Sequence, residues 1–302
     1  MLRLLAALAA LLSPLVVPPA MAAADTGRLI EVEQMAALGL PVQRLTIWLP
    51  PGYDRSRRRY GVVYMHDGHN LFDLKKSNFN KVWAADKAML AAMQHGAEPH
   101  IIVGIWAPGN DRYRQYLPQP AYDLAGPVLR ATMDKVAGGP IVSNAYLAWL
   151  TGSLKAYVDS HYRTKRGPKD TAIAGSSMGG LISCWAFVMR PDIYGRAACV
   201  STHWPLAIPE DGLKPGVDAL EIDQAWFTAH LGKAKGRRLW MDHGNATLDA
   251  FYAPYQEPID AAVAKAGWKR GRDWQSKVYP GAEHEENAWA ARLPEIFEFL
   301  LR

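Results

Sequence analysis

The chain has 302 residues, is 49% hydrophobic and 21% charged, and carries a formal net charge of +5. It is too apolar for a disordered segment and only mildly basic, so no nucleic-acid partner is expected. Two cysteines in a chain this long exclude a fold that depends on a disulfide framework.

The first residues read as an export signal. Arg3 supplies a short positive start, Leu4 to Val17 is apolar apart from Ser13 and Pro14, and Ala20-Met21-Ala22 offers a cleavage site. That apolar run is shorter than the ~20 residues a membrane span needs, and no cysteine stands beside it to take a lipid. The expectation is a signal peptide over 1–22, cleaved after Ala22 or Ala24, and one catalytic domain over 25–302. The mature protein is then secreted or periplasmic, with no stable membrane insertion. Loss of Arg3 takes its net charge from +5 to +4.

Leu29 to Glu33 and Gln43 to Leu49 are predicted as an opening antiparallel pair of strands. Arg55, Arg57, Arg58 and Arg59 follow in a solvated turn. Tyr60 to Met65 is an apolar central strand, Val82 to Gln94 a helix, and Ile101 to Trp106 the next strand. Pro108 to Pro140, rich in Gly, Pro, Arg and Tyr, is expected to be a long irregular loop of the kind that binds or covers a ligand. Tyr146 to Tyr162 reads as an amphipathic helix. The remaining elements are strands at Thr171 to Ala174, Ala197 to Ser201, Arg238 to Met241 and Trp274 to Tyr279, and helices at Gly180 to Met189, Tyr252 to Ala266 and Asn287 to Leu300. Such alternation argues for a mostly parallel sheet with helices on both faces. Cys184 in a helix and Cys199 in the next strand are expected to be buried thiols, unpaired.

Gly175-Ser176-Ser177-Met178-Gly179 places a serine at the centre of a G-x-S-x-G pentapeptide between a strand and a helix. That is the context of a nucleophile elbow, where only small residues two positions either side leave room for the strained serine. A serine hydroxyl attacks well only when an imidazole takes its proton, and a carboxylate behind the imidazole fixes its tautomer. In a parallel sheet, catalytic groups gather after the carboxyl ends of strands. Downstream, such positions hold Asp242, Asp249 and, in Gly281-Ala282-Glu283-His284, a histidine on a loop expected to swing over the elbow. Ser177, Asp249 and His284 fit the order of an α/β-hydrolase triad, with Asp242 as the competing acid and otherwise a structural turn residue. Oxyanion donors are expected from the backbone N–H groups of Met178 and His69. His66 and His69 lack a third partner at metal-ligand spacing, so no metal or other cofactor is expected. Arg112, Arg114, His203, Trp204 and Trp289 are candidate substrate contacts, with Tyr113, Tyr116, Tyr122 and Trp106 as further aromatic surface.

Together these residues resemble an esterase family of α/β hydrolases that includes esterase D-like proteins, feruloyl and acetylxylan esterases, enterochelin esterases and mycolyltransferases. The resemblance is carried by Val62 to Asp73, a strand leading into a D-G-x-N-x-F-like loop, by Ile102 to Ile105 with Arg112, Arg114 and Tyr116, by Ala174 to Gly180, and by Gly281-x-x-His284 with Trp289. It spans roughly Leu45 to Leu301. Where many members have glutamine, this chain has His69. The resemblance implies an α/β-hydrolase fold, and a serine carboxylic-ester hydrolase acting on acylated carbohydrate or similar extracellular esters. Siderophore lactones, acyl transfer to a sugar, and ligand binding on an inactive scaffold are the alternatives.

Overall fold

Eight strands form one sheet in the order β1-β2-β4-β3-β5-β6-β7-β8. They are β1 (Arg28–Met35), β2 (Gln43–Leu49), β3 (Gly61–His66), β4 (His100–Ile105), β5 (Thr171–Ser176), β6 (Arg196–Val200), β7 (Arg238–Gly244) and β8 (Trp274–Tyr279). The computed structural model describes residues 25–208 and 217–302, so the expected export signal lies outside the described residues. β1 pairs antiparallel with β2, and β2 antiparallel with β4; every later pairing is parallel. The predicted opening pair and the parallel centre are both present.

Ten helices accompany the sheet among the described residues: α1 (Ala85–Gln94), α2 (Arg112–Tyr116), α3 (Gln119–Leu124), α4 (Pro127–Ala137), α5 (Ser143–Trp149), α6 (Lys155–His161), α7 (Met178–Met189), α8 (Val217–His230), α9 (Ala253–Lys265) and α10 (Glu286–Leu301). Successive strand residues face opposite sides, and β3 shows the result. Val62 and Tyr64 join a core with Tyr146, Ile182, Phe227 and Ile259. Val63 and Met65 join the opposite core with Met89 of α1 and Leu293 and Phe297 of α10. Each large apolar side chain so buried contributes about 1.5–3 kcal/mol, which is why a continuous apolar strand reads as central.

Three expectations are corrected. Pro108 to Pro140 is not irregular, because it contains α2, α3 and α4. Its prolines start helices instead of breaking them: Pro120 and Pro127 stand in the first turns of α3 and α4, where the missing N–H costs nothing. The second correction is α8, which the sequence reading did not anticipate. Its apolar residues Ala219, Leu220, Ile222, Ala225, Trp226, Phe227 and Ala229 wrap more than half of the helix circumference, so no clean amphipathic face stands out.

The third concerns the cysteines. Cys184 on α7 and Cys199 on β6 form a disulfide with Cα atoms 5.8 Å apart, because α7 packs directly on β6 and brings two buried side chains face to face. Closing this 15-residue separation is worth about 3 kcal/mol on the chain-entropy account. A Cys184→Ala/Cys199→Ala protein is therefore expected to melt about 5–10 °C lower by calorimetry. An unchanged Tm would show that the cross-link adds nothing to packing already in place.

Candidate active site

β5 ends at Ser176 and α7 begins at Met178, so Ser177 alone makes the turn, with φ 55° and ψ −125°. For a residue with a Cβ this conformation costs about 1–3 kcal/mol. It is held by the Ser177 N–H donating to Val200 O at 3.0 Å and the His203 N–H donating to Ser177 O at 3.1 Å. A Cβ on Gly175 would lie 2.6 Å from the Gly179 carbonyl oxygen, so the first glycine of the pentapeptide is sterically required. The Leu181 N–H makes the hydrogen bond back to Ser177 O, leaving the Met178 N–H at the helix N-terminus without a partner in the helix.

Asp249 sits in a short 3₁₀ turn, Thr247–Phe251, after β7. Its Oδ1 lies 2.6 Å from His284 Nδ1, and its Oδ2 accepts from the Ser201 hydroxyl and the Gly244 N–H, each at 2.6 Å. Burial alone would push this carboxyl up, yet these donors outweigh it and hold Asp249 below the usual carboxylate range. The loop carrying His284 is laced to the acid's turn: the Gly281 N–H donates to Asn245 Oδ1, the His284 N–H to Thr247 Oγ1, and the Asn245 and Ala246 N–H groups to Ala282 O. The expected swinging loop is thus a fixed one.

Asp242 does not end a strand, because β7 continues to Gly244. Its carboxylate is fully buried, 2.8 Å from Arg292 Nη2 and 2.6 Å from Trp240 Nε1. Burial raises its pKa, and Arg292 offsets only part of that. Between the two aspartates lies Ser201, whose oxygen donates to Asp249 and accepts from Trp289 Nε1 at 3.0 Å and Arg292 Nη2 at 2.7 Å. The sequence reading missed Ser201, Arg292 and Tyr252. Only their position after a strand end, or near one of the singled-out residues, could have drawn attention to them.

The loop after β3 turns at Asp67, in the left-handed region at φ 57°. Arg112 grips the Asp67 carboxylate with both Nε and Nη2, at 2.7 and 2.8 Å. Burial would raise Asp67, but the guanidinium holds it below the usual range. The 3₁₀ turn Gly68–Asn70 follows, its first bond running from the Asn70 N–H to Asp67 O, so the His69 N–H precedes any bond within the turn. Gly68 packs against β4, where a Cβ would meet the Gly104 backbone at 2.5 Å. The two histidines diverge. His66 Nδ1 meets Ala174 O and Ser183 Oγ, and burial pulls it down to about 4. The His69 Nε2 accepts from the Asn78 amide at 2.9 Å. Among the described residues, no group of three His, Cys, Asp or Glu is placed to hold a metal ion.

Ser177, His284, Asp67, His69, Arg112, Trp106 and Trp289 line one open cleft of about 660 Å³, to which Asn70, Asn78 and the exposed Phe79 also contribute. Of the candidate substrate contacts, Arg112 reaches the cleft but is committed to Asp67. Trp289 forms its wall, with its ring edge-on to His284 at 5.1 Å. Arg114 does not line the cleft, being paired with Asp111 and bonded to Pro140 O. Trp204 is 1% exposed with its Nε1 bonded to Gln256, and His203 is buried beneath Ser177; neither offers surface to a substrate.

Comparison with known proteins gives the chain a family. A family model described as "Putative esterase" matches residues 42–300. The uncharacterized protein YbbA of Bacillus subtilis is 27% identical over 179 residues, 58% of this chain and 64% of that one, so the chain spans less than two thirds of that curated relative. An IroE-like serine hydrolase from Shewanella oneidensis superposes with a TM-score of 0.65 at 20% identity, over 91% of this chain and 80% of that one. The feruloyl esterase module of Clostridium thermocellum does so with 0.62 at 18%, over 91% and 88%, and the enterobactin esterase of Shigella flexneri with 0.61 at 16%, over 90% and 59%. The folds agree, and the match over nearly the whole described chain places this protein in the esterase family of α/β hydrolases.

Proposed function

We propose that the chain is an exported serine esterase in which Ser177 is the nucleophile, His284 the base and Asp249 the acid. The observation that carries this reading is the 2.6 Å contact between His284 Nδ1 and Asp249, with His284 and the strained Ser177 opening onto one cleft. His284 takes the Ser177 proton as Oγ attacks the ester carbonyl, and Asp249 stabilises the imidazolium. The tetrahedral oxyanion rests on the N–H groups of Met178 and His69, which are fixed before the charge develops. His284 then protonates the leaving alcohol, water enters with His284 again as base, and the acid departs. These steps need no metal or organic cofactor.

Export is supported by the signal-like first residues and by the Cys184–Cys199 disulfide, since reducing compartments keep thiols free. No helix among the described residues is long and apolar enough to cross a membrane. For substrate, Trp106 and the exposed Phe79 suit a ring-bearing ester, and acylated carbohydrate is the reading we adopt. Purified protein is expected to release p-nitrophenol from p-nitrophenyl acetate. In a panel of acetyl, feruloyl and longer-chain sugar esters and a siderophore lactone, kcat/KM should be highest for a sugar ester. Highest kcat/KM on the lactone would move the assignment to siderophore release. Acyl sugar formed on addition of a carbohydrate acceptor would make the protein a transferase.

A further inference from the structure

We propose that Tyr252, held in place by His203, is a further catalytic residue whose phenol donates a hydrogen bond to Ser177 Oγ as that oxygen attacks and as it leaves. The proposal rests on Ser177 being the nucleophile. Tyr252 directly follows the turn that carries Asp249, and its N–H donates to Asp249 O at 3.1 Å. Acid and phenol are therefore set by one piece of backbone. The phenol is fully buried, neighbours the Ser177 side chain, and lies 2.8 Å from His203 Nδ1. Its ring meets the His284 ring edge-on at 5.5 Å. His203 in turn binds the elbow through its N–H to Ser177 O. Two residues that face no substrate thus converge on the nucleophile from the side of the acid.

The protonation states suit this role. Burial, with the neighbouring charges of His284 and Arg112, takes His203 down to about 3, so it is neutral wherever the enzyme works. Burial and the Asp249 charge keep the phenol protonated. A neutral His203 with its proton on Nδ1 donates to the phenol oxygen, which turns the single phenol proton toward Ser177 Oγ. In acylation the Oγ–C bond forms while the serine proton goes to His284. In deacylation that bond breaks and His284 returns the proton. The phenol keeps its own proton throughout and stabilises the partial negative charge on Oγ in both steps.

Tyr252→Phe removes one oxygen and should lower kcat by about tenfold to a hundredfold with little change in KM. Because Oγ loses its donor in both half-reactions, the acylation rate constant read from pre-steady-state release of p-nitrophenol from p-nitrophenyl acetate should fall by a factor similar to that in kcat, with no larger burst than in the wild type. His203→Leu should show the same change, His203→Asn a smaller one, and the double variant Tyr252→Phe/His203→Leu no more than either single. Should Tyr252→Phe unfold, His203→Leu carries the same expectation with the phenol retained. A wild-type kcat and acylation rate constant in a folded variant would overturn the role of Tyr252. Retained activity in Ser177→Ala would instead overturn the serine reading beneath it, so the two failures are separable.

Discussion

Ser177→Ala is expected to lower kcat/KM by about 10⁵–10⁶-fold while leaving the melting temperature nearly unchanged. The loss is large because nucleophile, base and acid act as one unit, and removing the first leaves His284 with no proton to take. The fold should not notice. Alanine meets the same steric cost at φ 55° as serine does, and the backbone bonds to Val200 and His203 are untouched. The measurement is turnover of p-nitrophenyl acetate alongside calorimetry, with a fluorophosphonate probe labelling the wild type once and the variant not at all. Turnover at the wild-type rate in the alanine variant would end the serine mechanism.

The two buried aspartates should fail in opposite ways. Asp249→Asn should cost about 10⁴-fold in kcat, because an amide cannot hold the His284 tautomer that a carboxylate holds. Asp242→Asn should instead cost stability, about 3–5 kcal/mol, because it strips the buried Arg292 of its counter-ion. Kinetics and melting curves on both variants decide the matter, and equal or reversed losses of kcat would exchange the acid assignment. Ser201 complicates the contrast in an informative way. Its oxygen touches Asp249 and Arg292 alike, so the Asp242 variant should show some loss of rate through this shared group.

Much of the fold was legible because its central strands are short, apolar and buried throughout, and because the half-buried edge strand β8 is bounded by Gly271 and by Pro280-Gly281. Trp274 to Tyr279 was read at its true limits, and Tyr60 to Met65 within a residue. The misreadings have local causes. Pro120 and Pro127 look the same in a sequence whether they break a chain or start a helix. Cys184 and Cys199 each look like a buried hydrophobe until α7 is laid on β6. At the candidate site, Ser177, Asp249 and His284 could be found because each has a motif or a place after a strand. Ser201 follows β6 directly but reads in the sequence as the last residue of that strand, and Arg292 and Tyr252 have neither. Their partners come from elements 41 to 91 residues apart in some of these bonds, and only tertiary packing joins them.

The ammonium and guanidinium groups around the cleft have a consequence for how an ester arrives. Lys76 is paired with Glu31, Lys81 with Glu285 and Arg112 with Asp67. Each positive group is thus half of a dipole whose field fades within a few ångströms of the surface. Such an entrance adds little long-range pull of its own to the mild positive field of the chain. Selection among esters then rests on shape and on hydrogen bonds made on contact.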